Sequence, residues 1–232
     1  MIDFSRRDPS KEMMDDFDLA DDVLALTLKE IAYINRVLGG DEVTLSAMEK
    51  ATKQIGQKTA TVADLGCGRG ALMALLEDWS EKKGVSLELT GIDASAFTLE
   101  EAKKAQQGRD FRFLHLNALD PALNAYHFDV VNATLFCHHL RDDELLQVFQ
   151  WAKSNSKVLI INDLHRHPFA FYSIRLLTHW FSKSAMVKND APLSVLRSFQ
   201  KADLESLLKA AGYRRYEISW RWAFRWQVLA WA

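Results

Sequence analysis

From Thr59 onward, short apolar runs alternate with amphipathic stretches. Thr59–Leu65, Ser86–Ile92, Phe111–Leu116, Phe128–Val131 and Val158–Ile161 read as strands. Ala71–Lys83, Phe97–Gln107 and Asp142–Lys153 carry a helical period. Val158–Ile161 is apolar at every position, the pattern of a strand covered on both faces. Strands alternating with helices predict a parallel sheet with helices on either side. No strand is evident before residue 59. Residues 15–38 predict a helix with Asp15, Asp16 and Asp18 at its positive end. Leu24, Leu28, Ile31 and Leu38 form its stripe, and Gly39-Gly40 stops it. Residues 41–55 predict a shorter helix, and residues 1–14 loose structure.

The alternation breaks after Ile161. Residues 164–198 read as an insertion with one helix near Phe169–Trp180, whose aromatic residues suit either an apolar lid or core packing. A loop is expected around Pro192. Gln200–Ala211 predicts a helix closed by Gly212, and Arg214–Trp220 with Ala223–Trp231 a final pair of strands. At strand spacing Trp220, Trp222, Phe224 and Trp226 share one face, which suggests a buried sheet face or a dimer interface.

The chain has 232 residues, 48% hydrophobic and 26% charged, with a net charge of -2. That composition excludes bulk disorder and fits one domain with an appended helical segment. It provides no global basic field, so neither nucleic acid nor an anionic membrane is the expected partner. Cys67 and Cys137 form neither a disulfide framework nor a CxxC pair. No apolar run approaches the ~18 residues of a membrane span. A cytoplasmic location is expected, and a homodimer is left open.

The sharpest motif is Asp64-Leu65-Gly66-Cys67-Gly68-Arg69-Gly70, where a strand enters three alternating glycines and a helix follows. Glycines allow a sharp turn and close approach of a ligand, and the helix start offers free N–H groups. Gly66, Gly68 and Ala71 fit a dinucleotide loop. Asp64 argues instead for an adenosyl sulfonium, because a carboxylate repels a pyrophosphate and attracts a cation. A glycine turn without a ligand is the bland alternative. Gly91-Ile92-Asp93 ends the second strand, where a carboxylate can take both ribose hydroxyls; capping of the next helix by Asp93 or Ser95 is the other reading. Asn117 after the third strand suits an adenine amino group or a simple turn.

In this order the motifs resemble those of class I S-adenosylmethionine-dependent methyltransferases, over roughly residues 59–163. Asp64–Gly70 resembles their first motif, and Gly91-Ile92-Asp93-Ala94-Ser95 their second. Asn117-Ala118 stands where Asp-Ala is common. Phe128–Val131 and Val158–Asp163 resemble their fourth and fifth strands. The resemblance implies a Rossmann-like, doubly wound α/β sheet of seven mostly parallel strands with the last antiparallel. It also implies S-adenosylmethionine as cofactor, held by Asp64, Gly66, Cys67, Gly68, Asp93, Ala94, Asn117, Ala118 and Asn132. Residues 1–58 would form an N-terminal helical cap and 59–232 the methyltransferase domain, with 164–198 as insertion or lid. The N-terminal helices resemble those of bacterial quinone- and polyketide-type enzymes, which implies a small phenolic, enolic or quinonoid acceptor.

The loop Asn132–Leu140 lacks the Pro-Pro motif of nitrogen methyltransferases. It carries His138-His139, an imidazole pair that titrates near neutrality and suits proton removal from a phenol or enol. His139 is the first candidate base, with His138 and Asp163 next; a structural histidine is the alternative. His165 is a candidate pocket residue, and Arg197 a candidate for an acceptor carboxylate. Adjacent histidines without an evident third ligand imply no metal. An RNA- or protein-methylating enzyme, a nicotinamide oxidoreductase and a non-catalytic binding module remain the alternatives.

Overall fold

The computed structural model describes residues 2–16 and 22–232. Seven strands form one sheet: β1 Thr59–Leu65, β2 Ser86–Asp93, β3 Arg112–His115, β4 Phe128–Thr134, β5 Ser156–Leu164, β6 Arg215–Arg221 and β7 Arg225–Trp231. Their order is β3-β2-β1-β4-β5-β7-β6. β1 to β5 run parallel, and β7 is antiparallel to both β5 and β6. This is the expected Rossmann-like methyltransferase fold. The strand order reverses at β1, which opens a crevice beyond the carboxyl ends of β1 and β4, the usual ligand position in such sheets.

Among the described residues there are eight α-helices: α1 Asp22–Val37, α2 Gly40–Ile55, α3 Ala71–Lys83, α4 Ala96–Ala105, α5 Asp142–Asn155, α6 Pro168–Phe181, α7 Ala185–Arg197 and α8 Lys201–Ala210; α1 and α6 both pack on α7, beside the sheet. Alternate strand residues face opposite layers. Leu65, Val131, Leu159 and Ile161 pack with Phe149 and Leu204, while Val62, Val130, Val158 and Ile160 pack with Met48, Met73 and Leu76. Val130-Val131 of β4 and Val158–Ile161 of β5 are therefore unbroken apolar stretches, because neither face meets water there. α2 is part of this cover, with Ala47, Met48 and Ala51 fully buried. No helix among the described residues is long and apolar enough to cross a membrane.

The chain departs from the sequence reading in three places. Met13–Asp15 form a separate 3-10 turn, where the sequence predicts the start of the first helix; the described part of that helix is Asp22–Val37, and Asp18 lies outside the described residues. The insertion holds a second helix, α7, where a loop around Pro192 was expected. Proline removes one intrahelical donor. The carbonyl that loses its donor is that of Lys188, and the helix is held at its start by Ser184, whose hydroxyl accepts Val187 N–H (3.2 Å). Finally, the C-terminal aromatic row is not a single strand, because Trp222 and Phe224 lie in the turn of a hairpin. The hairpin turns between Arg221 and Arg225, so Trp220 stands opposite Trp226. Trp226 is buried, while Trp220 and Trp222 are 46% and 69% exposed. On α6, Phe169, Tyr172, Trp180 and Phe181 face solvent; only Phe171 of its aromatic residues joins the core.

Candidate functional site

At the mouth of β1 the backbone of Gly66, Gly68 and Gly70 takes left-handed φ values of 64°, 53° and 70°. The Phe136 ring sits where a side chain on Gly66 would go, 2.5 Å from an ideal Cβ. Asp93, at the end of β2, ties two loops together. Its Oδ2 accepts Gly68 N–H (3.1 Å) and its Oδ1 accepts Ser95 N–H (3.0 Å). The cap of α4 is Ser95, whose hydroxyl accepts Thr98 N–H. Burial raises the Asp93 carboxyl above its ordinary range despite those two donors.

Asp64 lies inside β1, opposite Asn132 of β4 in the parallel register. The Asn132 amide donates to Asp64 Oδ1 at 2.7 Å. Burial, with the Asp93 charge adding to it, pushes the Asp64 carboxyl up to about 7. No ion pair engages Asp64 or Asp93 among the described residues. Both line a cavity of about 510 Å³, together with Gly66, Cys67, Gly68, Ala94, Asn117 and Ala118. Asn117 also closes a local turn, its side-chain oxygen accepting Leu119 N–H. Asn132 is fully buried and does not reach the cavity; it holds Asp64.

A second cavity, of about 280 Å³, adjoins the first. Its walls are mostly apolar: Ile31 and Ile34 of α1 with Leu38 just after it, Ile174 and Leu177 of α6, and Val187 and Val195 of α7. Met14, Ile31, Asn35, Leu135 and His139 line both cavities. Leu135 makes this junction by adopting φ 53°, an uncommon value for leucine.

Each histidine after β4 is oriented by a carboxylate. His138 Nδ1 lies 2.7 Å from Asp163 Oδ1, and His139 Nδ1 lies 2.6 Å from Asp15 Oδ1. Asp163 is fully buried behind His138 and lines neither cavity, which makes it a positioning residue. Burial alone would raise its carboxyl, but the His138 imidazole and its hydrogen bonds hold it below the ordinary range. His138 faces the smaller cavity, with Nε2 3.8 Å from Glu12 Oε1. Glu12 is buried, neither carboxylate oxygen has a hydrogen-bond partner, and burial pushes its carboxyl up to about 7. Glu12, His138 and His139 bring donor atoms within 4.8 Å of one another. The Arg197 guanidinium, 3.6 Å from Glu12, already supplies a cation there.

Two predicted substrate residues sit elsewhere or are otherwise engaged. Arg197 borders the larger cavity, but its donors are committed: Nε to His138 O (3.0 Å), Nη2 to His139 O (2.6 Å), Nη1 to Ser10 O. It clamps the N-terminal segment to the histidine loop and has no free fork for a carboxylate. His165 reaches neither cavity. The chain leaves the sheet after Leu164, and the ring packs on Trp226 and accepts from Trp220 Nε1 (3.3 Å). Burial, then His167 and Arg166, lowers its pKa to about 4. Glu12 was not identified from sequence, and Asp15 was read only as a helix-start acid. Both lie more than a hundred residues before their histidine partners, and no local pattern marks that pairing.

Residues 62–157 match the family model described as a methyltransferase domain. No curated protein matches the chain. Among solved structures, it is similar to the plantazolicin methyltransferase BpumL in complex with S-adenosylhomocysteine, at 15% identity and TM-score 0.66, covering 88% of this chain and 89% of that one. It is similar to human N-acetylserotonin methyltransferase in complex with S-adenosylmethionine, at 17% identity and TM-score 0.64, over 90% and 55% of the chains. It is also similar to magnesium protoporphyrin IX methyltransferase from Synechocystis PCC 6803, at 16% identity and TM-score 0.55, over 86% and 83%. At these identities the likeness establishes the fold.

Proposed function

We propose that this chain is an S-adenosylmethionine-dependent methyltransferase that methylates a small phenolic, enolic or quinonoid acceptor held in the smaller cavity. The observation that carries the reading is the pair of adjoining cavities with His139 at their junction. The larger one suits the cofactor. Asp64 and Asp93 are buried carboxylates without a cationic partner, and a ligand carrying a sulfonium and an ammonium supplies that charge. When bound, the cofactor supplies an electrophilic methyl group.

The residues around it bind, orient and move a proton. Asp93 offers carboxylate oxygens to a ribose, and Gly66 and Gly68 let the backbone approach closely. With its Nδ1–H donated to Asp15, His139 presents the Nε2 lone pair for the acceptor's proton. His138, held in the same way by Asp163, faces the same cavity. Apolar walls from α1, α6 and α7 exclude water. We assign α1 and residues 164–198 the role of a cover over both cavities. Holding the acceptor in line with the methyl supplies much of the rate.

Titration calorimetry with S-adenosylhomocysteine, with NADH as control, tests the cofactor assignment. Micromolar binding of the first alone is expected. A panel of phenols and quinols with labelled S-adenosylmethionine then tests the acceptor class. Binding of NADH alone would overturn both assignments.

A further inference from the structure

The smaller cavity holds one cation that the methyl-transfer chemistry does not use. Arg225 opens β7, lines this cavity and is 2% exposed. Its Nε is buried and has no hydrogen-bond partner among the described residues. Its Nη1 makes one long bond, 3.5 Å, to Asn162 Oδ1.

The two carboxylates that act on it are engaged elsewhere. Asp41 accepts from Asn35 Nδ2 (2.7 Å) and Arg36 Nε (3.2 Å). Asp163 accepts from His138 Nδ1, His138 N–H and Leu164 N–H. Arg221, its partner across the hairpin, is a second cation, and it donates to Gln227. Burial without sufficient compensation pulls the Arg225 pKa down to about 10. A buried guanidinium that lacks a dedicated counter-charge is costly, and removing that cost is a source of ligand affinity.

We propose that Arg225 is the anchor for an acidic group on the acceptor, so that the smaller cavity selects apolar organic carboxylates over their neutral counterparts. The cavity also carries two carboxylates, Glu12, which burial pushes toward its neutral form, and Asp190, which accepts Met13 N–H and Met14 N–H; most of its remaining wall is aliphatic or aromatic, which suits the body of such a molecule. A planar guanidinium can offer a carboxylate paired hydrogen bonds that a lysine cannot. The other cationic candidate near this cavity, Arg197, is spent on backbone carbonyls, which leaves Arg225 as the available donor.

This inference rests on the reading of the smaller cavity as the acceptor site. The test is binding of 2-naphthoate and of its neutral analogue 2-naphthamide to the full chain, each with and without saturating S-adenosylhomocysteine. Naphthoate is expected to bind at least tenfold more tightly. Arg225→Gln is expected to remove that preference while S-adenosylhomocysteine affinity stays within about twofold. Equal affinity of the two probes for the wild-type chain, or a preference kept in Arg225→Gln, would overturn the assignment. If Arg225→Gln fails to fold, Arg225→Lys replaces it, with the preference reduced but not erased; an unchanged preference would count against the proposal. Binding of S-adenosylhomocysteine without a naphthoate preference overturns the Arg225 assignment alone. A naphthoate preference without S-adenosylhomocysteine binding supports it and removes the cofactor reading.

Discussion

His139 Nδ1 and Asp15 Oδ1 stand 2.6 Å apart across 124 residues of chain. The pair sits where the two cavities meet, with Asp15 bordering the larger one and His139 both. Asp15 is held below its ordinary range: burial opposes this, but the hydrogen bond and charge of His139 outweigh it. A carboxylate so placed fixes which imidazole nitrogen carries the proton. Asp15→Asn keeps the shape and loses the charge. It is expected to lower kcat by about 10- to 100-fold, within the range of general-base contributions. Affinity for S-adenosylhomocysteine should stay within about twofold. A shift in the pH profile of kcat separates this from a general loss of folded protein, and an unchanged kcat would remove His139 from proton transfer.

Asp64 links function to stability. Its carboxyl moves from 3.8 to about 7 on folding, mainly through burial. The folded chain therefore holds a proton that the unfolded chain has released between these values. Stability falls as pH rises through this window and levels off above it. The difference corresponds to on the order of 4 kcal/mol. Asp64→Asn retains an acceptor for Asn132 and carries no charge, so without cofactor it should melt higher than wild type at pH 8. It should also lose affinity for the sulfonium cofactor. Wild-type affinity should rise between pH 6 and 8, as Asp64 ionises. Melting curves and calorimetry at these pH values check both effects; cofactor binding by Asp64→Asn at wild-type strength would place the cation elsewhere.

Gly66 is required for two separate reasons. Its φ is 64°, and an added Cβ would stand 2.5 Å from the Phe136 ring. Left-handed backbone costs a non-glycine residue roughly 1–2 kcal/mol, and overpacking about 1–3 more. Gly66→Ala should therefore destabilise the chain by about 2–5 kcal/mol in urea melts and weaken S-adenosylhomocysteine binding. Gly108 has φ 90° and open space around it, so Gly108→Ala should cost only the backbone part. Similar losses for the two variants would mean that Phe136 yields easily.

The sheet and the turn and strand end that border the larger cavity were legible because their signals are local. Apolar runs doubly covered by helices, the Asp64–Gly70 turn and Asp93 at a strand end each declare themselves within a few residues. The helix through Pro192 was not legible, because its packing against α6 and α1, which outweighs the one lost backbone donor, shows only in the fold. Asn132 was read as a cofactor contact, whereas its amide holds Asp64, a role set by the β1–β4 register. Arg197 was chosen for its charge, but its donors are occupied by carbonyls from two remote segments. Glu12 and Arg225 gave no sequence signal, because what distinguishes them is burial without enough partners.

Arg197 joins the N-terminal segment to the histidine loop. It donates to Ser10 O, His138 O and His139 O, and pairs with Asp15 at 3.2 Å. Arg7 adds bonds to His138 O (3.3 Å) and Leu140 O (2.7 Å), and Asp190 accepts Met13 N–H and Met14 N–H. Lysine keeps the charge of Arg197 and loses the planar fork, so Arg197→Lys is expected to leave buried carbonyls unpaired at about 1–3 kcal/mol. The segment should then open to proteolysis near Ser10. Because Arg197 delivers Asp15 to His139, its variant should lower kcat in the same direction as Asp15→Asn. In the double variant the two losses should combine to less than their product, since both act through one network. Fully multiplicative losses would assign Arg197 and Asp15 separate roles, with the clamp supporting the fold and the carboxylate alone tuning the base.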